Sequence, residues 1–191
     1  MSEATTSPRG QGRFGPRVDA FDERADHVLE RLRGHPIADR AFTAASHLGD
    51  WSLVWHLCGA ARALTGGDRW HQALVLSAAL GAESLIVNQG VKRLFRRQRP
   101  TESGDARYPV RRPSTSSFPS GHASAAAFAA TLLVGWDGPW SIPLWVGLAA
   151  IVGTSRAYVR IHHASDVIGG YATGLALGLA ARAIVATAGL G

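Results

Sequence analysis

His162 and Asp166 stand four residues apart in the run Ser155-Arg-Ala-Tyr-Val-Arg-Ile-His-His-Ala-Ser-Asp166, which lies between long apolar segments. On a helix starting near this point the two side chains share a face. A carboxylate so placed can hold one ring nitrogen and leave the other, with its lone pair, directed at a substrate. Charge set between apolar segments is costly unless it is paired or used, so a functional role is expected here. Two upstream clusters complement it, Lys92-x6-Arg99-Pro100 and Pro119-Ser120-Gly121-His122. The second opens a predicted helix, whose unpaired N–H groups and dipole suit an anion. Ser120 is placed as an N-cap or as a phosphate-directed hydroxyl.

Combined, these residues describe phosphoryl chemistry. Lys92, Arg99 and Arg156, with the amides near Gly121, can surround a phosphoryl group and neutralise charge as it builds. His162, oriented by Asp166, can attack phosphorus in line and form a phosphohistidine. His122, on the opposite side, can protonate the departing oxygen and later deprotonate the hydrolytic water. No metal or other cofactor is expected, because the protein's own cations do that work and a tight carboxylate cluster of the kind magnesium sites use is not evident.

The elements that carry these clusters are apolar helices. A disordered start is expected over residues 1–17, rich in Gly, Pro, Ser, Thr and Arg, with a single domain over 18–191. Residues 18–33 read as an amphipathic helix on the membrane surface, with Phe21, Ala25, Val28, Leu29 and Leu32 on one face and Asp22, Glu23, Asp26, Glu30 and Arg31 on the other. A short helix is expected over 37–48. Membrane spans are expected over 51–65 (capped by Asp50, and short enough to borrow from the 40s), 70–95, 121–136, 141–158 and 163–188. Glu83, inside the second, should face the bundle and find a hydrogen-bond partner. In the fifth, Asp166, Gly170, Gly174 and Gly178 form one stripe that should face inward. With one crossing per span, Lys92, His122, Arg156 and His162 all fall on the same side.

The three clusters together resemble the type 2 phosphatidic acid phosphatase superfamily, whose pattern is K-x6-R-P, P-S-G-H and S-R-x5-H-x3-D; every specified position is met between Lys92 and Asp166. The resemblance implies His162 as nucleophile, Asp166 as its partner and His122 as general acid and base. It implies Lys92, Arg99, Ser120, Gly121 and Arg156 as the phosphate pocket. It also implies an all-α integral membrane bundle with a six-helix core, approximated here by five spans and the N-terminal helix. His163 lies outside the pattern and reads as a group supporting the site from behind or as a surface residue, Arg93, Arg96, Arg97 and Arg160 read as interfacial charges, and the loop carrying Arg107, Tyr108, Arg111 and Arg112 reads as solvated or as touching a lipid headgroup.

Composition narrows the partners. The chain has 46% hydrophobic residues but a mean hydropathy of only +0.02, because charge is concentrated before residue 50 and between Lys92 and Arg112. The net charge of +6 flanks apolar spans instead of lining a soluble face, which favours membrane lipids over nucleic acid. Cys58 alone excludes an internal disulfide. Of the 20 Lys and Arg residues, only Arg62, Arg69 and Arg182 fall on the far side, so the positive-inside rule places the site on the cytoplasmic face. The expected activity is removal of the terminal phosphate from a prenyl-linked sugar phosphate, a phosphatidyl phosphate or a polyprenyl diphosphate. A vanadium haloperoxidase-like enzyme and a non-enzymatic lipid-binding protein are the alternatives; nothing in the sequence sets the oligomeric state.

Overall fold

A computed structural model describes residues 14–67, 69–101 and 105–189. Its helices are α1 (Pro16–Glu30), α2 (Pro36–Gly49), α3 (Leu53–Ala63), α4 (Arg69–Leu85), α5 (Gly121–Asp137), α6 (Ile142–Tyr158) and α7 (Ala164–Thr187), with no strand among the described residues. Residues 1–13, most of the expected disordered start, lie outside the described residues. Phe14 already packs edge-on against Phe118, and α1 begins at Pro16, a residue suited to the first turn because its missing N–H is one the helix would leave unpaired.

Helix α4 continues without a break through a π-helical turn, Ile86–Gly90, and a 3-10 turn, Val91–Leu94. This run, Arg69–Leu94, and α7 are long and apolar enough to cross a membrane. Helices α5 and α6 follow the expected spans closely. Leu57, Leu74, Leu85, Leu144, Ile168 and Leu179 are exposed around the outside of α3, α4, α6 and α7, a belt of apolar side chains that suits lipid and not water.

The first span differs from expectation. Helix α3 has 11 residues, about 16 Å, and Asp50 does not cap it. The length comes from α2 instead. Phe42 stacks on Tyr158, Ser46 bonds Arg156, and Gly49 abuts Val152, so α2 runs antiparallel down the last turns of α6. The two helices are separated by Asp50–Ser52, where Trp51 (φ 56°) and Ser52 (φ 59°) are both left-handed. One span is thus built from two helices with an irregular joint between them.

Contacts at one end of the bundle agree with helices that alternate in direction. Arg62 of α3 forms an ion pair with Asp137 at the end of α5 (2.5 Å), Gln72 of α4 accepts from Arg62 (2.9 Å), and Trp145 of α6 donates to Asp137 (2.9 Å). These four helix ends meet far from the motif residues.

The core lies between α3, α4, α5 and α6, around Trp55, Leu76, Leu80, Phe128, Leu132 and Leu133. Helix α5 is central because its alanines, including Ala125, Ala126, Ala129 and Ala130, let neighbours approach closely. The glycine stripe of α7 faces it, as expected. A Cβ at Gly170 would press on the Ser120 carbonyl and the Ala123 methyl, at Gly174 on the Ser124 carbonyl, and at Gly178 on Thr131. Gly174→Val should therefore separate α5 from α7, costing at least about 3 kcal/mol, the upper end of ordinary overpacking, because the obstacle is backbone. A lower midpoint of thermal unfolding in detergent checks this; Gly81→Val, which faces open space, should leave the midpoint nearly unchanged.

The charged face of helix α1 meets the bundle, and Leu29 packs beside it against the clusters around Tyr158 and Val167. Asp22, Asp26 and Glu30, spaced four apart, turn toward arginines of the bundle, while Phe21, Val28 and Leu32 are exposed. The reason is electrostatic: Arg33, Arg97 and Arg160 converge at this end and need counter-charges. Arg33 also closes α6, donating to the carbonyls of Ala157 (3.0 Å) and Tyr158 (2.8 Å).

Candidate active site

The link between α6 and α7 delivers the first histidine. Arg160, left-handed at φ 56°, reverses the chain, and the N–H of His162 bonds the Arg156 carbonyl at 3.1 Å. Helix α7 then starts in a capping box in which the Asp166 carboxylate accepts from the His163 N–H at 2.8 Å. His163, read as peripheral, is thus the N-cap residue.

The two ring nitrogens of His162 face different partners. Nδ1 lies 3.6 Å from Asp166 and 3.5 Å from the Ser117 hydroxyl, while Nε2 lies 3.1 Å from an Arg99 N–H donor. A guanidinium has no acceptor, so Nε2 holds the lone pair and the proton sits on Nδ1. Burial pushes the His162 imidazole down to about 3; Asp166 opposes the shift and Arg99 adds to it. The ring is neutral at physiological pH, as a nucleophile must be. Unfolded, it returns to about 6.5, so unfolding takes up a proton throughout the interval from 6.5 down to 3. The sign follows: this group's stabilisation is complete above 6.5 and is lost as pH falls toward 3, by about 1.4 kcal/mol per pH unit at most. Thermal midpoints in detergent from pH 7 to 4 should fall less steeply for His162→Gln than for the unaltered chain.

Asp166 is the most heavily held carboxylate in the site. Besides the His163 N–H it accepts from Arg97 (2.6 Å) and Ser117 (2.5 Å). Arg97 in turn pairs with Asp22 of α1 at 2.6 Å, and Asp22 accepts from both the N–H (2.8 Å) and hydroxyl (2.7 Å) of Ser165. Arg97 is only 5% exposed, a correction to its reading as an interfacial charge. Arg160 stays partly exposed and pairs with Asp26, Glu30 and Asp105. Within the loop, Tyr108 is buried and donates to Asp39 at 2.8 Å, Arg107 pairs with Asp105 and Glu30, and Arg111 and Arg112 form no ion pair among the described residues, with Arg111 over the Trp51 ring.

The remaining motif residues close around the same place. Lys92 donates to the Thr115 hydroxyl (3.4 Å) and Arg99 to the Thr115 carbonyl (3.1 Å), so one residue ties the two cations together. Burial draws Arg99 down to about 10, still fully charged. The Lys92 ammonium hangs over Gly121, 3.6 Å from where a Cβ would stand. Ser120 takes the N-cap option, accepting from the Ala123 N–H at 3.4 Å, while its own N–H donates to the Asp166 carbonyl at 3.0 Å.

Arg156 is 0% exposed and bonds the Ser46 hydroxyl, yet its Nε and Nη2 lack partners among the described residues. A buried guanidinium with spare donors is a poor structural element and a good anion receptor. Ser46 also links it to His122, whose Nε2 lies 3.1 Å from the Ser46 carbonyl and 3.2 Å from the Asp50 carboxylate. Arg156 is close enough to bear on both imidazoles. Glu83, behind the site, bonds the Ser124 hydroxyl, the partner expected of a buried acid.

The sequence reading thus missed Asp22, Ser46, Asp50, Arg97, Thr115 and Ser117. None is a specified position of the three motifs, and the first three come from α1, α2 and the joint after α2, whose placement depends on tertiary packing.

Known proteins are similar to this chain. The family model of the PAP2 superfamily matches residues 71–189. A decaprenylphosphoryl-5-phosphoribose phosphatase of Mycobacterium tuberculosis is 37% identical over 147 residues, 76% of this chain and 77% of that protein. One of the same name from Mycolicibacterium smegmatis is 32% identical over 146 residues, 75% and 77% of the two chains. The crystal structure of a transmembrane PAP2-type phosphatidylglycerolphosphate phosphatase from Bacillus subtilis superposes with a TM-score of 0.69 at 24% identity, covering 91% of this chain and 89% of that one.

Proposed function

The chain belongs to the PAP2 superfamily, and from that premise we propose that it is an integral membrane phosphatase that removes a terminal phosphate from a lipid-linked sugar phosphate by way of a phosphohistidine. The observation that carries the reading is the pair of cations around a neutral imidazole: Arg99 contacts Nε2 of His162, and Arg156 keeps buried donors unspent.

In the first step the Nε2 lone pair of His162 bonds to phosphorus as the phosphorus–oxygen bond to the lipid-linked alcohol breaks, and the departing oxygen takes a proton from His122. Lys92, Arg99, Arg156 and the first amides of α5 hold the equatorial oxygens, neutralising charge where it grows. The proton on Nδ1 of His162 is balanced by Asp166 as the ring becomes cationic. In the second step His122 takes a proton from water, the hydroxyl oxygen bonds to phosphorus, and the phosphorus–nitrogen bond breaks to release phosphate and neutral His162. Charge neutralisation by side chains leaves no step that calls for a metal ion.

A prenyl-linked sugar phosphate is the substrate class because relatives sharing over 30% of their residues across three quarters of this chain carry that kind of name. The basic residues of the site end support a cytoplasmic site, since the positive-inside rule counts Lys and Arg even where acids pair with them. The test is phosphate release in detergent from a prenyl-linked sugar phosphate, a phosphatidyl phosphate and a polyprenyl diphosphate, with and without chelator. Preference for the first, unchanged by chelator, is expected. Release from none, or halide oxidation with vanadate in its place, overturns the reading.

A further inference from the structure

The joint between α2 and α3 lies against His122, and nothing in the three motifs accounts for it. We propose that Asp50 is the positioning residue of His122, holding its Nε2–H so that Nδ1 carries the mobile proton to and from the substrate oxygens. This rests on the role of His122 as general acid and base.

Three observations converge. Nε2 of His122 sits between two acceptors, the Asp50 carboxylate at 3.2 Å and the Ser46 carbonyl at 3.1 Å, which fixes the proton on Nε2 and leaves Nδ1 as the only nitrogen for the substrate. The ring lies on Gly49, where a Cβ would overlap the imidazole and press on Val152, so the residue before Asp50 is one that lets the ring come this close. Trp51 and Ser52 both hold left-handed backbone at a cost, the kind of strain that persists where surrounding structure demands a particular geometry. A broken helix inside a membrane bundle is tolerated where the exposed backbone lines a polar site. Here the break brings a carboxylate to the ring.

Asp50 lies outside residues 71–189, the stretch matched by the family model. The arrangement makes the two histidines a matched pair: Asp166 serves the nucleophile, Asp50 the proton carrier. The other titratable or charged groups near this pair are Arg156 from α6 and His47 from α2, with Lys92 above Gly121.

A carboxylate that acts through a general acid leaves a specific kinetic trace. A poor leaving group needs the proton and a good one does not. The experiment measures kcat/KM, which reports only the steps up to departure of the alcohol, for an alkyl phosphate and for p-nitrophenyl phosphate. It compares the unaltered protein with Asp50→Asn, Gly49→Ala and His122→Ala. Asp50→Asn should lose about 10- to 100-fold on the alkyl phosphate, part of what a positioned general acid contributes, but within about 3-fold on the aryl phosphate. Gly49→Ala, which displaces the ring, should show the same pattern, and Asp50→Glu should restore part of the alkyl rate. Equal losses on both substrates, or no loss on either, overturn the proposal for Asp50. If His122→Ala itself shows no dependence on the leaving group, it is the general-acid reading that fails instead.

Discussion

Replacing His162 with alanine lowers turnover by about 10⁴-fold or more while binding of the lipid phosphate changes little. The split follows from where the charges sit. The phosphate is gripped by Lys92, Arg99, Arg156 and the amides after Ser120, none of which needs the imidazole to stay in place: Arg99 is also held by the carbonyls of Thr115 and Ile161, and Lys92 by Thr115. What disappears is the Nε2 lone pair that Arg99 faces. The fall should therefore be seen in kcat and not in KM, with phosphate release from the prenyl-linked substrate as the measurement. Asp166→Asn should cost less, because Arg97, Ser117 and the His163 N–H still hold that position. Residual activity of His162→Ala within about 10-fold of the unaltered protein would mean that water attacks phosphorus directly.

Arg97→Ala produces the largest loss of stability, about 3–5 kcal/mol. The guanidinium lies between two carboxylates, Asp22 and Asp166, that are 7% and 0% exposed. Removing it leaves two buried anions with only neutral donors. The change reaches well beyond one contact, since Arg97 joins α1 to the start of α7 and its backbone holds the segment before α5 through Ser116 and Ser117. Arg97→Lys should recover part of the loss, because an ammonium is cationic but lacks the planar fork that reaches both acids at once. Asp22→Asn should fall between them, with Ser165 still able to donate to the amide oxygen. Thermal unfolding in detergent measures the series; a midpoint for Arg97→Ala near that of the unaltered chain would show that the triad is not load-sharing in this way.

The reacting groups could be read directly from spacing, because a motif is a local pattern and its helices are nearly continuous. Lys92 to Arg99, Ser120 to His122 and Arg156 to Asp166 each sit at a helix end whose position the hydropathy already marked, and the alternation of crossings brought them together. What supports those groups was not local. Asp22 read only as part of the polar face of a membrane-surface helix, yet that face turns inward because Arg33, Arg97 and Arg160 are there to meet it. No pattern in residues 18–33 contains that information. Asp50 likewise satisfied the rule for an N-cap, and the rule failed because α2 packs along α6 and places the carboxylate beside His122. The short first span was itself a signal, since a helix too brief to cross had to be completed by its neighbour. The glycine stripe of α7 was legible because small residues at steps of four permit close helix packing, whatever the partner turns out to be.

The most direct test of the account is to mix the protein with a prenyl-linked sugar phosphate, quench in alkali during turnover, where a phosphorus–nitrogen bond survives, and locate the phosphoryl group by mass spectrometry of the digested chain. A phosphoryl group on His162, attached at Nε2 and missing from His162→Ala, is the expected result. An actively turning-over preparation with no phosphoryl group on His162, or with it on His122, would contradict the mechanism.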